Sequence, residues 1–149
     1  MKTMKKTFII LGIILLASTA AFAKFVPDPL FERYYNIECW AWFADTLVED
    51  AQDYYPEPPD PPTYLQDYRD QLMGREGELY KLFDYADQGD VEGFNSQARV
   101  VRSLVANMQI AFITEARNAY VQGWSGRGIR DDFNTAKTGL VACLAGEPT

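Results

Sequence analysis

Histidine is absent from all 149 residues. Its absence removes Ser-His-Asp and Cys-His nucleophilic sites, and with them His-ligated zinc. Cysteine is nearly absent too. Cys39 and Cys143 alone cannot build a thiolate zinc cage, and no Cys-x-x-Cys-His run exists for covalent haem attachment. Basic residues are scarce: 14 Lys and Arg face 21 Asp and Glu, a formal net charge of −7. A chain so acidic is a poor match for nucleic-acid phosphates or an anionic membrane surface, so neither is expected as a partner. Any catalysis would have to rest on carboxylates, Tyr, Lys or Arg.

The first 23 residues have their own logic. Residues 1–6 carry three lysines, residues 8–17 are an uninterrupted apolar run, and Ala21-Phe22-Ala23 offers small residues for cleavage. That order predicts a secretory signal peptide over residues 1–23, removed on export. The apolar part is short for a membrane span and Ser18-Thr19 interrupts it. The expected product is a single domain over residues 24–149, periplasmic or extracellular. In that setting the two cysteines predict one disulfide, Cys39–Cys143. Closing so long a loop is worth roughly 4–5 kcal/mol at most in the chain-entropy view.

What remains is helical in pattern. Pro29 opens the first predicted helix, which should run to Tyr55. Leu30, Tyr34, Ile37, Ala41, Ala44, Val48, Ala51 and Tyr55 alternate spacings of four and three, an apolar seam. Residues 56–62, PEPPDPP, cannot be helical and predict a stiff polyproline II connector. A second helix is expected over residues 63–88, weakened by Gly74 and Gly77 so that a bend or break is anticipated. Gly89-Asp90 reads as a stop followed by a restart. The third helix, residues 91–122, should be the most buried, because Val100, Leu104, Ile110, Ala111 and Ile113 spread apolar surface around it. After the GWSGRG loop a fourth helix should begin near Asp131 or Asp132. Short connections between four helices predict an all-α, antiparallel up-down-up-down four-helix bundle, with its first and last helices joined by the disulfide.

The first helix carries the candidate sites. At 100° per residue Phe31, Tyr35 and Trp42 fall opposite the seam, a second aromatic row on a helix that already has a core face. Aromatic side chains beside a polar rim suit a protein partner, and Trp124 in the last loop is a further candidate. The last helix, Trp124 or residues 25–26 are expected to cover Phe31 and Tyr35, leaving Trp42 the more open. Farther along, Asp45, Glu49 and Asp53 form an i, i+4 ladder of like charge with Asp50 beside it. Each such pair destabilises an isolated helix by a few tenths of a kcal/mol, about 0.2–0.5. The ladder also sits toward the helix's negative end.

Three functions follow in order of preference. The first is a non-enzymatic interaction or structural module that contacts a protein or itself, with no cofactor. The second is a cation site at the acidic end, where Asp45, Glu49, Asp50 and Asp53 supply the oxygen ligands that calcium prefers. The third is a carboxylate hydrolase acting on cell-wall sugars, which would need two acids facing across a cleft. Glu38 and Glu115 are the acids in the most apolar sequence settings, and both read as ordinary helix-edge residues. Loop motifs add nothing: DYADQGDVEG lacks the EF-hand order and GWSGRG lacks the ending of a P-loop.

Overall fold

The computed structural model describes residues 29–124 and 129–146, the side chains of residues 140 and 142–146 excepted. The predicted signal segment, residues 24–28, residues 125–128 and the Cys143 side chain therefore lie outside the described residues. The chain is an all-helical bundle of α1 (Pro29–Asp53), α2 (Thr63–Met73), α3 (Glu78–Gln88), α4 (Val91–Gln122) and α5 (Ile129–Gly146).

The seam of α1 is buried as its spacing requires, from Leu30 through Ile37 and Ala44 to Ala51, with Trp40 and Leu47 widening it. The helix stops at Asp53, two residues short of the prediction. Pro56 disfavours helical geometry in the residue before it, and the last turn loosens into bonds from Tyr54 N to Asp50 O and Tyr55 N to Gln52 O. The proline connector is not the straight rod expected. It bends at residues 57–59, where Glu57 has φ 42° and the Glu57–Pro58 and Pro58–Pro59 peptides are cis.

The second predicted helix is two helices. Gly77 N donates to Gly74 O at 2.8 Å, folding the backbone back on itself between α2 and α3. A Cβ on Gly77 would lie 2.7 Å from Leu72 O, so the elbow closes only with glycine there. Gly89 then ends α3 in the left-handed region, and the Asp90 carboxylate accepts from Gly93 N at 2.9 Å to cap α4. Helix α5 begins at Ile129. Asp131 and Asp132 thus occupy its first turn, where the positive end of the helix favours them, rather than its cap.

Helix directions follow from the side chains that meet. Gln52 bonds Gln66 at one end of α1 and Phe31 packs on Phe83 at the other, so α2 and α3 run back along α1. Arg33 bonds Asn95 near both starts, and the rings of Tyr54 and Phe112 meet farther on, so α4 runs parallel to α1. Helix α5 returns antiparallel: Asp132 lies by Tyr54 and Gly139 lies by Phe43.

The most enclosed helix is α1, which packs against every other described helix. Helix α4 has a buried side carrying Phe94, Val101, Val105, Met108 and Phe112. Its outer side contradicts the sequence reading, for Val100, Ile110 and Ile113 are exposed. The cause is where α5 lies. Ala136 is buried and Gly139 sits under the Phe43 ring, small residues that draw α5 onto α1. Among the described residues, contact with α4 is carried by Phe133 on Phe112, at 6.2 Å between ring centres, and nothing described covers the outer face of α4.

Candidate functional site

Asp45 is buried although charged. Arg69 of α2 holds it through Nε to Oδ1 at 3.0 Å and Nη2 to Oδ2 at 3.3 Å, a two-pronged contact. The same guanidinium reaches Glu49 at 3.0 Å and Gln52 at 3.0 Å. Hydrogen bonding to Asp45 raises the Arg69 pKa further above its ordinary value. A cation does offset the ladder, and it is a side chain. Asp53 and Asp50 are not part of this contact. Among the described residues no three acids or cysteines are grouped as metal ligands.

Asp50 turns the other way, toward α5. With Asp132, Phe43 and Ala136 it lines a small cavity of about 110 Å³. Burial, then the charges of Asp132, Asp53 and Glu49, push its carboxyl up from 3.8 to about 6. Asp132 in turn accepts from the Tyr54 hydroxyl at 2.8 Å.

Glu115 is not an edge residue. It is 7% exposed and accepts from two tyrosine hydroxyls, Tyr55 at the end of α1 and Tyr64 at the start of α2. Burial and that carboxylate push the Tyr55 hydroxyl up to about 12 and the Tyr64 hydroxyl higher still. Trp124 packs tilted against Tyr55, with ring centres 5.0 Å apart, and closes this end. Glu38 is likewise held, accepting from Tyr34 at 2.7 Å. The partners of Glu38 and Glu115 lie at opposite ends of α1, separated by roughly 30 Å at 1.5 Å per residue. A glycosidase pair needs about 5–9.5 Å, so these two acids do not form one.

The aromatic row is only partly covered. Phe31 packs on Phe83 of α3 at 5.7 Å, so α3 rather than the last helix shields it. Tyr35 touches Phe31 and Tyr34 yet stays 59% exposed, against the expectation that it would be covered. Trp42 is 55% exposed. Trp124 packs on Tyr55, thirteen residues beyond Trp42 and just past the end of α1, which places it roughly 20 Å from Trp42 at 1.5 Å per residue.

The last feature has no counterpart in the sequence reading. A groove of about 300 Å³ runs between α4 and α5, floored by Leu47 and Phe112 and walled by Ile113, Phe133, Ala136 and Val141. Gln109 and Lys137 are the polar residues of its lining. The signal that could have found it is the uncharged stretch between Arg102 and Glu115, whose apolar residues exceed what one buried side can hold. No protein-family model, curated protein or solved structure matches the chain.

Two outcomes follow from the acids. Arg69→Met should lower stability in urea by about 2 kcal/mol, less than the roughly 3–5 of a fully buried broken pair because Arg69 is partly exposed. Asp45→Asn in the same background should recover much of that loss; no recovery would mean that Arg69 acts through packing alone. The second concerns pH. Below about pH 4 Asp50 is protonated whether the chain is folded or not, and above about 6 it is ionised in both. In between the folded chain holds a proton the unfolded chain has lost, so this group's stability contribution falls as pH rises. Glu78, held below its ordinary value of 4.5 by Gln97 and then Lys81, responds only at lower pH. From pH 7 to pH 5 the wild type should therefore gain melting temperature relative to Asp50→Asn. Parallel curves for the two proteins would show that Asp50 is ordinary.

Proposed function

We propose that the protein is an exported, non-enzymatic module that works by contact with another protein through the outward row of α1. The observation that carries this reading is the exposure of Tyr35 and Trp42 on a helix otherwise enclosed by its neighbours. Large aromatic rings at the surface, fixed on a rigid and central helix, lose little freedom when a partner covers them. Phe31 anchors one end of the row against α3, and Glu38 and Glu49, held by Tyr34 and Arg69, form a polar edge on the same outward side. Calcium at Asp45, Glu49, Asp50 and Asp53 takes second place, because Arg69 already supplies Asp45 and Glu49 with positive charge.

The disulfide belongs to the same proposal. Its support is the register of α5 on α1. Phe43 meets Gly139, and seven residues away on each helix Asp50 shares a cavity with Asp132. Carried one turn past Gly139, still within α5, the same antiparallel register pairs position 143 with position 39. Cys39 is exposed, so an unpaired thiol there would be open to reagents.

Both parts have direct tests. Tagged wild-type protein recovered from the exported fraction should carry a partner that Trp42→Ala, with unchanged circular dichroism, no longer retains. If Trp42→Ala and Tyr35→Ala both keep every wild-type partner, the contact surface is elsewhere. For the disulfide, maleimide labelling of the exported protein should require prior reduction, and reduction should lower the melting temperature. Labelling of both cysteines without reductant would exclude the bond.

A further inference from the structure

We infer that the groove between α4 and α5 binds a free single-chain amphiphile with an anionic head, a medium-chain carboxylate, with its tail on Phe112 and Ile113 and its head at Lys137. Three observations combine. The groove holds about 300 Å³ and its walls are apolar side chains from three helices, Leu47, Phe112, Ile113, Phe133, Ala136 and Val141. That volume is at the lower end for ligand pockets, enough for one alkyl chain and not for the two chains of a bilayer lipid.

The second observation is charge. Lys137 lines this apolar groove and forms no ion pair among the described residues, in a chain where acids outnumber bases. Gln109, on the facing helix, adds an amide that can donate to a carboxylate. An apolar trough with a free ammonium and an amide fits a carboxylate head and an alkyl tail. A neutral hydroxyl head would gain less from Lys137 than a carboxylate, and a cationic head would be repelled.

The third is the reason the groove exists. Ala136 and Gly139 seat α5 against α1, while α5 reaches α4 through Phe133 on Phe112. Helix α1 thus supplies the floor and the trough follows from the packing of the bundle. The groove's volume, which takes one alkyl chain and not two, makes a free amphiphile rather than a bilayer surface the source of that chain.

Titration calorimetry with dodecanoate, dodecanol and dodecyltrimethylammonium, each below its micelle concentration, tests this. Dodecanoate should bind one to one and about fivefold more tightly than dodecanol, the ceiling for a solvent-exposed ion pair. The ammonium amphiphile should bind weakest. Removing methylenes from the carboxylate should weaken binding by about fourfold for each one lost. Lys137→Glu should abolish the preference for dodecanoate and leave dodecanol unchanged. Ile113→Trp should block every probe by filling the trough; Val141→Glu, at a well-exposed position, serves if the first variant unfolds. Trp42→Ala should bind dodecanoate as the wild type does, so the proposed protein contact can fail without this inference. No saturable binding of dodecanoate by folded wild type would overturn the inference, as would equal affinity for the three heads. So would co-sedimentation with phosphatidylglycerol vesicles, or an ultracentrifuge dimer that Ile113→Trp dissociates.

Discussion

The bundle depends on accommodating carboxylates with few cations and no imidazole. Acids turned inward must be hydrogen-bonded, because an ionised carboxylate left unsatisfied in a dry site costs several kcal/mol. One arginine and four tyrosines meet this need. Arg69 takes Asp45 and Glu49, and Tyr34, Tyr54, Tyr55 and Tyr64 donate to Glu38, Asp132 and Glu115. A phenol suits this task, since it brings its own donor and an apolar ring that packs in the seam. Bonds to charged groups of this sort contribute about 1.5–3 kcal/mol each when well formed. They also tie elements together: Glu115 joins α4 to the end of α1 and the start of α2, across the proline connector.

Asp50 marks the limit of that solution. Its neighbour Asp132 is bonded by Tyr54, and neither Arg69 nor a tyrosine hydroxyl reaches Asp50 itself. Two acids from α1 and α5 therefore share a small cavity with the charge of one poorly met. The antiparallel seating of α5 creates this contact. Ala136 and Gly139 let the helix settle on Phe43, and the register that follows carries Asp132 toward Asp50. The same seating leaves the outer side of α4 uncovered. One packing arrangement thus sets a close carboxylate pair and an open apolar trough.

How much of this was legible beforehand divides along physical lines. Periodicity marked the buried residues of α1 and both bounds of α4, because burial on one side of a helix is written in spacings of three and four. Gly74 and Gly77 warned of the break between α2 and α3. What periodicity cannot carry is the position of one helix around another. Val100, Ile110 and Ile113 were assigned to the interior on composition, and the lateral position of α5 decided otherwise. Glu115 was passed over for a related reason, since its partners Tyr55 and Tyr64 are more than fifty residues away in sequence. Arg69 was within reach. The connector after α1 brings α2 back antiparallel, so the base on that helix falls beside the ladder near Asp45 and Glu49.

The central place of α1 also separates the two surfaces proposed to bind. Trp42 and Leu47 are five residues apart, which turns them by about 140° on the helix. One ring faces outward beside Tyr35, while the other side chain forms the floor of the trough. A ligand in the trough touches the side of α1 that already packs, and a partner on Trp42 touches the side that does not. Coupling between them would have to pass through a rotation or shift of α1. That helix contacts every other described element and is fixed to α2 by the Arg69 contact. A rigid, over-determined helix transmits little, because coupling requires an element with two comparably stable arrangements. The two surfaces should therefore act independently, each read from its own side of the same helix.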